Sequence, residues 1–293
     1  MVRVLSRPMK IAFLLLAVLL AAPAAAQQRP LTTQPVDVVR PGEMLVQFGV
    51  EFLQGATFPL SGLSGDLSRV GVVDLHIGLS RAVELQIQGT IRNFLSVNQQ
   101  VPAQLTPTLK RGGTSTSDFG DFTLAVKFQL YPETKGRPAL GIRFGFEAPN
   151  SDESRGIGLN TTNVFFTLLA QKHYGKLNLF GNLGVGILQA PTGLFAQNDV
   201  VLYGLGAIYP LHQRVNLVAE VAGRWSTRDT PATGPLVGTG SRSQARLGVQ
   251  VFGGGFRWDF AGVAGLTRND PNTGFVLGVA KSFDSHSRQK TPR

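Results

Sequence analysis

FGDFTLAVKFQLYPETKGRPALGIRFGFEA, residues 119–148, decides the fold, because it holds two apolar/polar alternations back to back with one short turn between them. Along the first arm Phe122, Leu124, Val126, Phe128 and Leu130 fall on one face. Asp121, Thr123, Ala125, Lys127 and Gln129 fall on the other, the period of two that an extended strand imposes on its side chains. The second arm sets Leu140, Ile142, Phe144 and Phe146 opposite Gly141, Arg143, Gly145 and Glu147. Between them residues 132–137, PETKGR, carry the proline and glycine of a turn. The stretch is a β-hairpin, and a soluble sandwich would alternate in the same way, so the surroundings must say whether its apolar face meets protein or lipid.

The alternation recurs on both sides of the hairpin and predicts twelve strands. Before it lie strands at about 43–53, 67–79 and 83–95, with Asp74, His76, Glu84 and Arg92 on their polar faces. After it come strands at about 161–173, 176–188, 200–209, 215–226, 244–252, 256–266 and 274–283. Glu220, Arg224, Arg246 and Arg257 sit opposite their apolar stripes. The connections then run 54–66, 80–82, 96–118, 132–137, 149–160, 174–175, 189–199, 210–213, 227–243, 253–255 and 267–273, long and short in strict alternation. An outer-membrane barrel has this rhythm because tight turns face the periplasm and longer loops face outward, whereas a sandwich has no reason to gather its long loops at one end. Each strand is long enough for the roughly 9–11 tilted residues that cross hydrocarbon. An open sheet edge in lipid leaves backbone groups unpaired at several kcal/mol each, so the first and last strands are expected to pair.

The N-terminus sets the compartment. Arg3, Arg7 and Lys10 precede the apolar run of residues 11–20, and Ala24, Ala25 and Ala26 precede Gln27, the pattern of a cleaved signal peptide. The run is shorter than the roughly 20 residues of a spanning helix. The chain has no cysteine, which excludes lipoprotein processing, disulfides and thiolate metal sites. Loss of residues 1–26 lowers the formal charge from +10 by three, to +7. That charge is scattered along strands and in the tail, without a basic, aromatic-studded face for nucleic acid.

Residues 117–188 contain SDFGDFTLAVKFQLYP, FGFEAPNSDESRGIGLNTTN and LFGNLGVGIL. In these motifs the chain resembles the outer-membrane family of meta-pathway phenol-degradation proteins and transporters. Gly120-Asp121, Pro149 and Gly156-Ile157-Gly158 match the family's Gly-Asp strand entry and its later Pro- and Gly-rich loop. The resemblance implies a barrel that admits small, aromatic compounds. The last strand, GFVLGVAKSF, resembles the C-terminal signal by which the barrel-assembly machinery identifies its clients, although DSHSRQKTPR follows Phe283.

Chemistry on these strands points to a lining rather than a catalyst. Asp74, His76, Glu84, Arg92, Asp121, Lys127, Arg143, Glu147, Glu220, Arg224, Arg246 and Arg257 face inward by the alternation, nearly balanced in sign. Opposite charges on neighbouring strands are expected to pair, since an unpaired buried charge costs several kcal/mol, and to flank a water-lined lumen or a constriction. His76 beside Asp74 is the one inward histidine well within a strand, and it reads as a hydrogen-bonded lumen residue rather than a general base. Asp152 and Glu153 lack the spacing of a Ca²⁺ loop, and Gly253 to Gly255 form a turn with no helix to bind phosphate.

The sequence thus predicts an all-β protein, a transmembrane antiparallel up-and-down barrel of about twelve strands with short periplasmic turns and longer extracellular loops. Residues 1–26 are the signal peptide, 27–42 a periplasmic lead, 43–283 the barrel and 284–293 a basic periplasmic tail. The expected location is the cell outer membrane. The expected partners are outer-membrane lipid, the assembly machinery and a small-molecule solute, with no nucleic acid, cofactor, metal or catalytic residue. Inward Gly141, Gly145 and Gly184 favour an open bore. The expected function is passive uptake of small solutes, including small aromatic or hydrophobic compounds. The alternative is a structural or ligand-binding barrel with a plugged lumen, whose loops 96–118 and 227–243 meet a partner.

Overall fold

The computed structural model describes residues 30–191, 196–228 and 237–284. The expected signal peptide and nearly all of the expected tail lie outside them, as does part of loop 227–243. Thirteen strands form one sheet. They are β1 (Glu43–Phe58), β2 (Leu63–Gly78), β3 (Val83–Gln100), β4 (Ser115–Asp118), β5 (Phe122–Tyr131), β6 (Ala139–Ala148) and β7 (Asn163–Tyr174). They continue as β8 (Leu177–Gln189), β9 (Gln197–His212), β10 (Val215–Ser226), β11 (Arg242–Gly253), β12 (Phe256–Gly265) and β13 (Thr273–Asp284). Apart from β4 and β5, which both pair with β3, consecutive strands pair antiparallel, and β1 pairs with β13 from Glu43↔Asp284 to Gln54↔Thr273, which closes the sheet into a barrel.

β4 and β5 are two pieces of one stave. β3 pairs with β5 over Val83–Gln88 and with β4 over Asn93–Ser96, so the barrel has twelve staves. The break falls at residues 119–121, where the Gly120 N–H donates to Thr90 O at 2.9 Å. A Cβ on Gly120 would stand 2.9 Å from that same oxygen, so the backbone comes this near only because the residue is glycine. The alternation predicts one unbroken arm from Asp121 onward and a loop before it, and β4 corrects the loop.

The first hairpin corrects the loop rhythm. Residues 54–66 were expected to be a long loop, but β1 and β2 run on to Phe58 and Leu63, with only residues 59–62 between them. The glycines that suggested a loop serve the strands instead. Gly55, at φ 66°, sits at the irregularity between Leu53 and Ala56, and a Cβ on Gly65 would lie 1.9 Å from Ser96 O. From the second hairpin onward, tight turns and longer loops alternate at the two ends.

The opening hairpin has the expected register, with Leu124 opposite Phe146, Val126 opposite Phe144 and Lys127 opposite Arg143. Its apolar stripe faces outward, as do those of the other staves; Leu205 and Leu247 remain 64% and 62% exposed. Tyr131, Tyr174, Tyr209 and Trp258 ring the short-turn end of this apolar band, and Phe94 and Trp225 the loop end. An apolar band between aromatic rims is what a barrel presents to a bilayer.

Candidate functional site: the barrel lumen

The stretch expected as a periplasmic lead lies, from Pro30 onward, inside the barrel. It leaves β1 at the short-turn end, where the Gly42 N–H donates to Gly78 O, and crosses the lumen obliquely. Its backbone amides donate to side chains from one wall to the other. Val39 N donates to Glu84 Oε2 (2.7 Å), Val36 N to Gln171 Oε1 (2.8 Å) and Gln34 N to Asn182 Oδ1 (2.7 Å). Thr32 N and Thr33 N donate to the Glu220 carboxylate at 2.8–2.9 Å. In the reverse sense Lys127 Nζ donates to Asp37 O (2.6 Å), and Arg246 Nη1 to Pro30 O (2.9 Å).

Three apolar side chains of the segment are buried against the wall. Leu31 meets Phe180, Ile208 and Val218; Val36 meets Ala139 and Leu169; Val39 meets Leu45 and Ala280. Burial of each contributes about 1.5–3 kcal/mol. Ordering costs about 1–2 kcal/mol for every residue of the stretch, so three anchors alone do not hold it. Hydrogen bonds to charged groups, worth about 1.5–3 kcal/mol each, decide the balance, which makes Glu84, Lys127, Glu220 and Arg246 its fasteners.

Of the three inward glycines expected to favour an open bore, Gly141 lies against the segment, as do Gly204 and Gly78. A Cβ on Gly141 would approach Val36 Cγ1 to 3.2 Å, one on Gly204 would meet Thr33 Oγ1 at 2.7 Å, and one on Gly78 would stand 2.0 Å from Arg40 O. They make room for the chain's own segment rather than for an open bore. Gly184 is set by the wall itself, with a Cβ 2.2 Å from Phe166 O, and a Cβ on Gly145 would make ordinary contacts.

Around the segment, the short-turn half of the lumen is a dry polar network. Arg257 binds Asp259 through Nε (2.8 Å) and donates through Nη2 to Gln47 Oε1 (2.5 Å), while Gln47 Nε2 donates to Asp74 Oδ2 (3.1 Å). His76 lies between Asp74 (Nε2 to Oδ1, 2.8 Å) and Glu84 (Nδ1 to Oε1, 2.7 Å). Lys127 Nζ closes the series 3.2 Å from Glu84 Oε1. His76, Glu84 and Lys127 are wholly inaccessible, so the water-lined passage expected here is absent, and each charge is compensated by a partner instead. His76 thus has a carboxylate beside each ring nitrogen, as a lumen histidine within the network.

The loop half is hollow. A cavity of about 340 Å³ above the segment is lined by Thr32, Gln34, Gln88, Arg143, Tyr203, Arg224, Arg242, Gln244 and Asp270. A second, of about 330 Å³, shares Arg224, Arg242 and Gln244 and adds Leu53, Phe58, Leu60, Phe119, Ile157 and Leu159. A third, of about 230 Å³, reaches Glu51, Arg69, Asp74, Asp121, Glu147 and Arg246. Together they form a vestibule floored by residues 31–34.

The predicted lining residues divide between these halves. Asp74, His76, Glu84, Lys127 and Arg257 belong to the dry network, and Glu220 and Arg246 to the segment's anchorage. Arg143, Glu147 and Arg224 line the vestibule. Arg143 donates to Gln86 Oε1 and Gln88 Oε1, both at 2.6 Å, and Asn163 Nδ2 donates to Glu147 Oε1 at 2.6 Å. Asp121 accepts from Asn150 N and Ser151 N at 2.8 Å, tying down the loop after β6. Arg92 lines none of the three cavities; it donates to Ser117 Oγ and covers the Phe119 ring at the stave break.

Sequence reasoning missed Arg69, Arg242, Asp270 and the segment itself. Arg69 pairs with Glu51 at 2.8 Å because Gly71, at φ 69°, shifts the register between Val70 and Val72 and turns its side chain inward. Among the described residues no His, Asp or Glu cluster could hold a metal ion.

Three solved structures are similar to the chain in differing degree. An outer-membrane channel from Pseudomonas putida F1 aligns over 85% of this chain and 98% of its own, with a TM-score of 0.59 and 18% identity. The NanC porin covers 81% of this chain and 98% of its own at TM-score 0.46 and 9% identity. The translocator domain of the autotransporter NalP from Neisseria meningitidis covers 85% and 91% at TM-score 0.46 and 14% identity. The first likeness shows that the chain has the fold of an outer-membrane barrel. No family model matches the chain and no curated protein does, so no match stands behind the more specific phenol-degradation resemblance.

Proposed function

We propose that this protein is a non-enzymatic channel of the outer membrane, with its loop end outward and its short turns in the periplasm, through which small organic solutes enter passively. The observation that carries the reading is the division of the lumen. A hollow vestibule opens at the loop end, and the inner half is closed by residues 30–42 docked on the wall's polar network. A closure made of a separate segment can be displaced, whereas a wall of paired strands cannot. The apolar patch of Leu53, Phe58, Leu60 and Phe119 in the vestibule suits solutes with an aromatic or hydrophobic body.

Single-channel recording in planar bilayers tests this. The mature chain is expected to show small, infrequent currents, and Glu220→Ala, which removes the acceptor of Thr32 N and Thr33 N, larger and longer ones. Silence from both, with folding checked by heat-dependent gel mobility, would leave the second reading, a plugged structural or ligand-binding barrel. That reading is favoured by the completeness of the inner network.

A further inference from the structure

Outside the lumen, the short-turn end of the barrel carries a one-sided charge. Arg40, Arg81, Lys135, Arg137, Lys176 and Arg214 are exposed there, against Asp284 as the one exposed carboxylate among the described residues. Of the half-buried carboxylates, Glu133 is engaged by Lys172 and His173, and Glu43 stands opposite Asp284 at the seam between β1 and β13. At the loop end the exposed charges of the described residues nearly balance, with Lys110, Arg228 and Arg268 against Asp66, Asp152, Glu153 and Asp199.

The six cations are spread round the rim. Arg81 lies in the turn after β2, Lys135 and Arg137 in that after β5, Lys176 after β7 and Arg214 after β9, while Arg40 precedes β1 at the seam. The turn between β11 and β12 is Gly254 and Gly255, and beside it a cation comes from the wall instead. Lys281 shares its parity on β13 with Phe275, Leu277 and Phe283, all exposed, so it faces outward. Its Nζ lies 4.7 Å from the ring centroid of Phe256 and 5.4 Å from that of Phe283, and Phe256 lies 6.1 Å from Trp258. Ring faces attract an ammonium without using up its N–H donors, which stay available to an oxygen outside the protein. Arg137 sits in the same way over Tyr131, with Cζ 4.8 Å from the centroid.

A soluble partner would meet one sector of such a rim. Cations on or beside every turn and the seam, two of them seated on aromatic rings at the edge of the apolar band, fit a partner that surrounds the barrel. A lipid leaflet does so, and its headgroups present phosphate where the aromatic belt ends.

We infer that the short-turn rim binds anionic phospholipid, with Lys281 over Phe256 and Phe283 as one headgroup site, so that the barrel gathers such lipid round this end and not round the loop end.

The chain's two tryptophans report the two ends separately, Trp258 at the short-turn end and Trp225 at the loop end. Trp225→Phe and Trp258→Phe each leave one reporter. Both variants are folded into vesicles of phosphatidylglycerol and phosphatidylcholine in equal parts, the two leaflets alike, with one lipid or the other brominated in its acyl chains to quench fluorescence. Beside Trp258 phosphatidylglycerol is expected to be favoured about fivefold over phosphatidylcholine, beside Trp225 not at all, and raised salt to diminish the preference. Lys281→Gln is expected to lower the preference at Trp258 by about threefold or more. Equal quenching of Trp258 by the two lipids overturns the inference and leaves the rim to a soluble anionic partner. An equal preference at both tryptophans overturns it too, since the charge of the whole chain would then be responsible. So does a preference that raised salt and Lys281→Gln both leave unchanged, which would be an effect of the acyl chains. If Lys281→Gln does not fold, the salt dependence and the contrast between the two reporters carry the same test.

Discussion

The two halves of the lumen are lined by the same staves with the same alternation, yet one is filled and the other hollow. At the short-turn end every inward charge has a partner of opposite sign or a segment carbonyl, and three side chains from residues 31–39 complete the packing. At the loop end Arg143 and Arg224 donate to amide and carbonyl oxygens, Arg69 pairs with Glu51, and Arg224 stands opposite Arg242. Inward polarity alone thus does not distinguish a structural layer from a site. What distinguishes them is whether charges of opposite sign fall within reach and whether something excludes water. The Glu84 to Lys127 pairing meets both conditions, whereas Arg224 and Arg242 stand opposite each other on a cavity wall.

The contrast can be broken most forcibly at Lys127. Lys127→Ala leaves Glu84 buried without its cation, and a loss of about 3–5 kcal/mol of folding free energy is expected from denaturant unfolding in lipid vesicles, against almost none for Arg242→Gln. Equal losses in the two variants would mean that both halves are structural. Next in size is the outer face. Val126→Arg, one residue from Lys127 but facing lipid, is expected to cost about 2–4 kcal/mol near the midplane in the same assay. Its tolerance would mean that the two faces are inverted.

Gly78→Ala probes the closure. Its Cβ would meet two carbonyl oxygens of the segment, at 2.0 and 2.5 Å, so the segment must shift. A loss of about 1–3 kcal/mol is expected, together with larger single-channel currents. Gly136→Ala, with open space around its Cβ, is expected to change neither.

The smallest effect belongs to a contact outside both halves. Glu133 accepts from His173 Nδ1 at 2.7 Å and lies 3.0 Å from Lys172 Nζ, and those bonds hold its carboxyl down at about 2, below its ordinary 4.5. A depressed carboxylate stabilises the folded state above the unfolded value, and that contribution fades as pH falls from 4.5 towards about 2. The difference in thermal midpoint between the parent and Glu133→Gln is therefore expected to be constant above that window and to vanish below it, with conductance unaffected.

Much of the barrel was legible because period-two alternation is local. Phe122 to Leu130 declare their face without reference to any other strand, and the tight turns declare the pairing order. What was not legible depended on distance or on irregular backbone. Residues 30–42 show no period because their partners are spread over β3, β7, β8, β10 and β11, with Thr33 binding a glutamate 187 positions away. Arg69 changed faces at a bulge, and the stave break at Gly120 interrupts an alternation that resumes in phase. Arg242 was assigned to a loop because the alternation after it begins two residues later, so its position opposite Arg224 was hidden. The alternation placed Asp74, His76, Glu84 and Lys127 on the inner face, but the division of that face into a filled and a hollow half was not legible, since it depends on cross-strand neighbours.

The segment that crosses the lumen also orders events in time. Its binding site consists of side chains from staves on opposite sides of the barrel, so it does not exist in a hairpin or in a half-formed, open sheet. The residues just after it belong to β1, the stave that closes the ring against the last one, β13. Docking of residues 30–42 is thus a report that closure has occurred. It forms after the longest-range pairing in the chain, when the entropy of bringing the two ends together has already been spent.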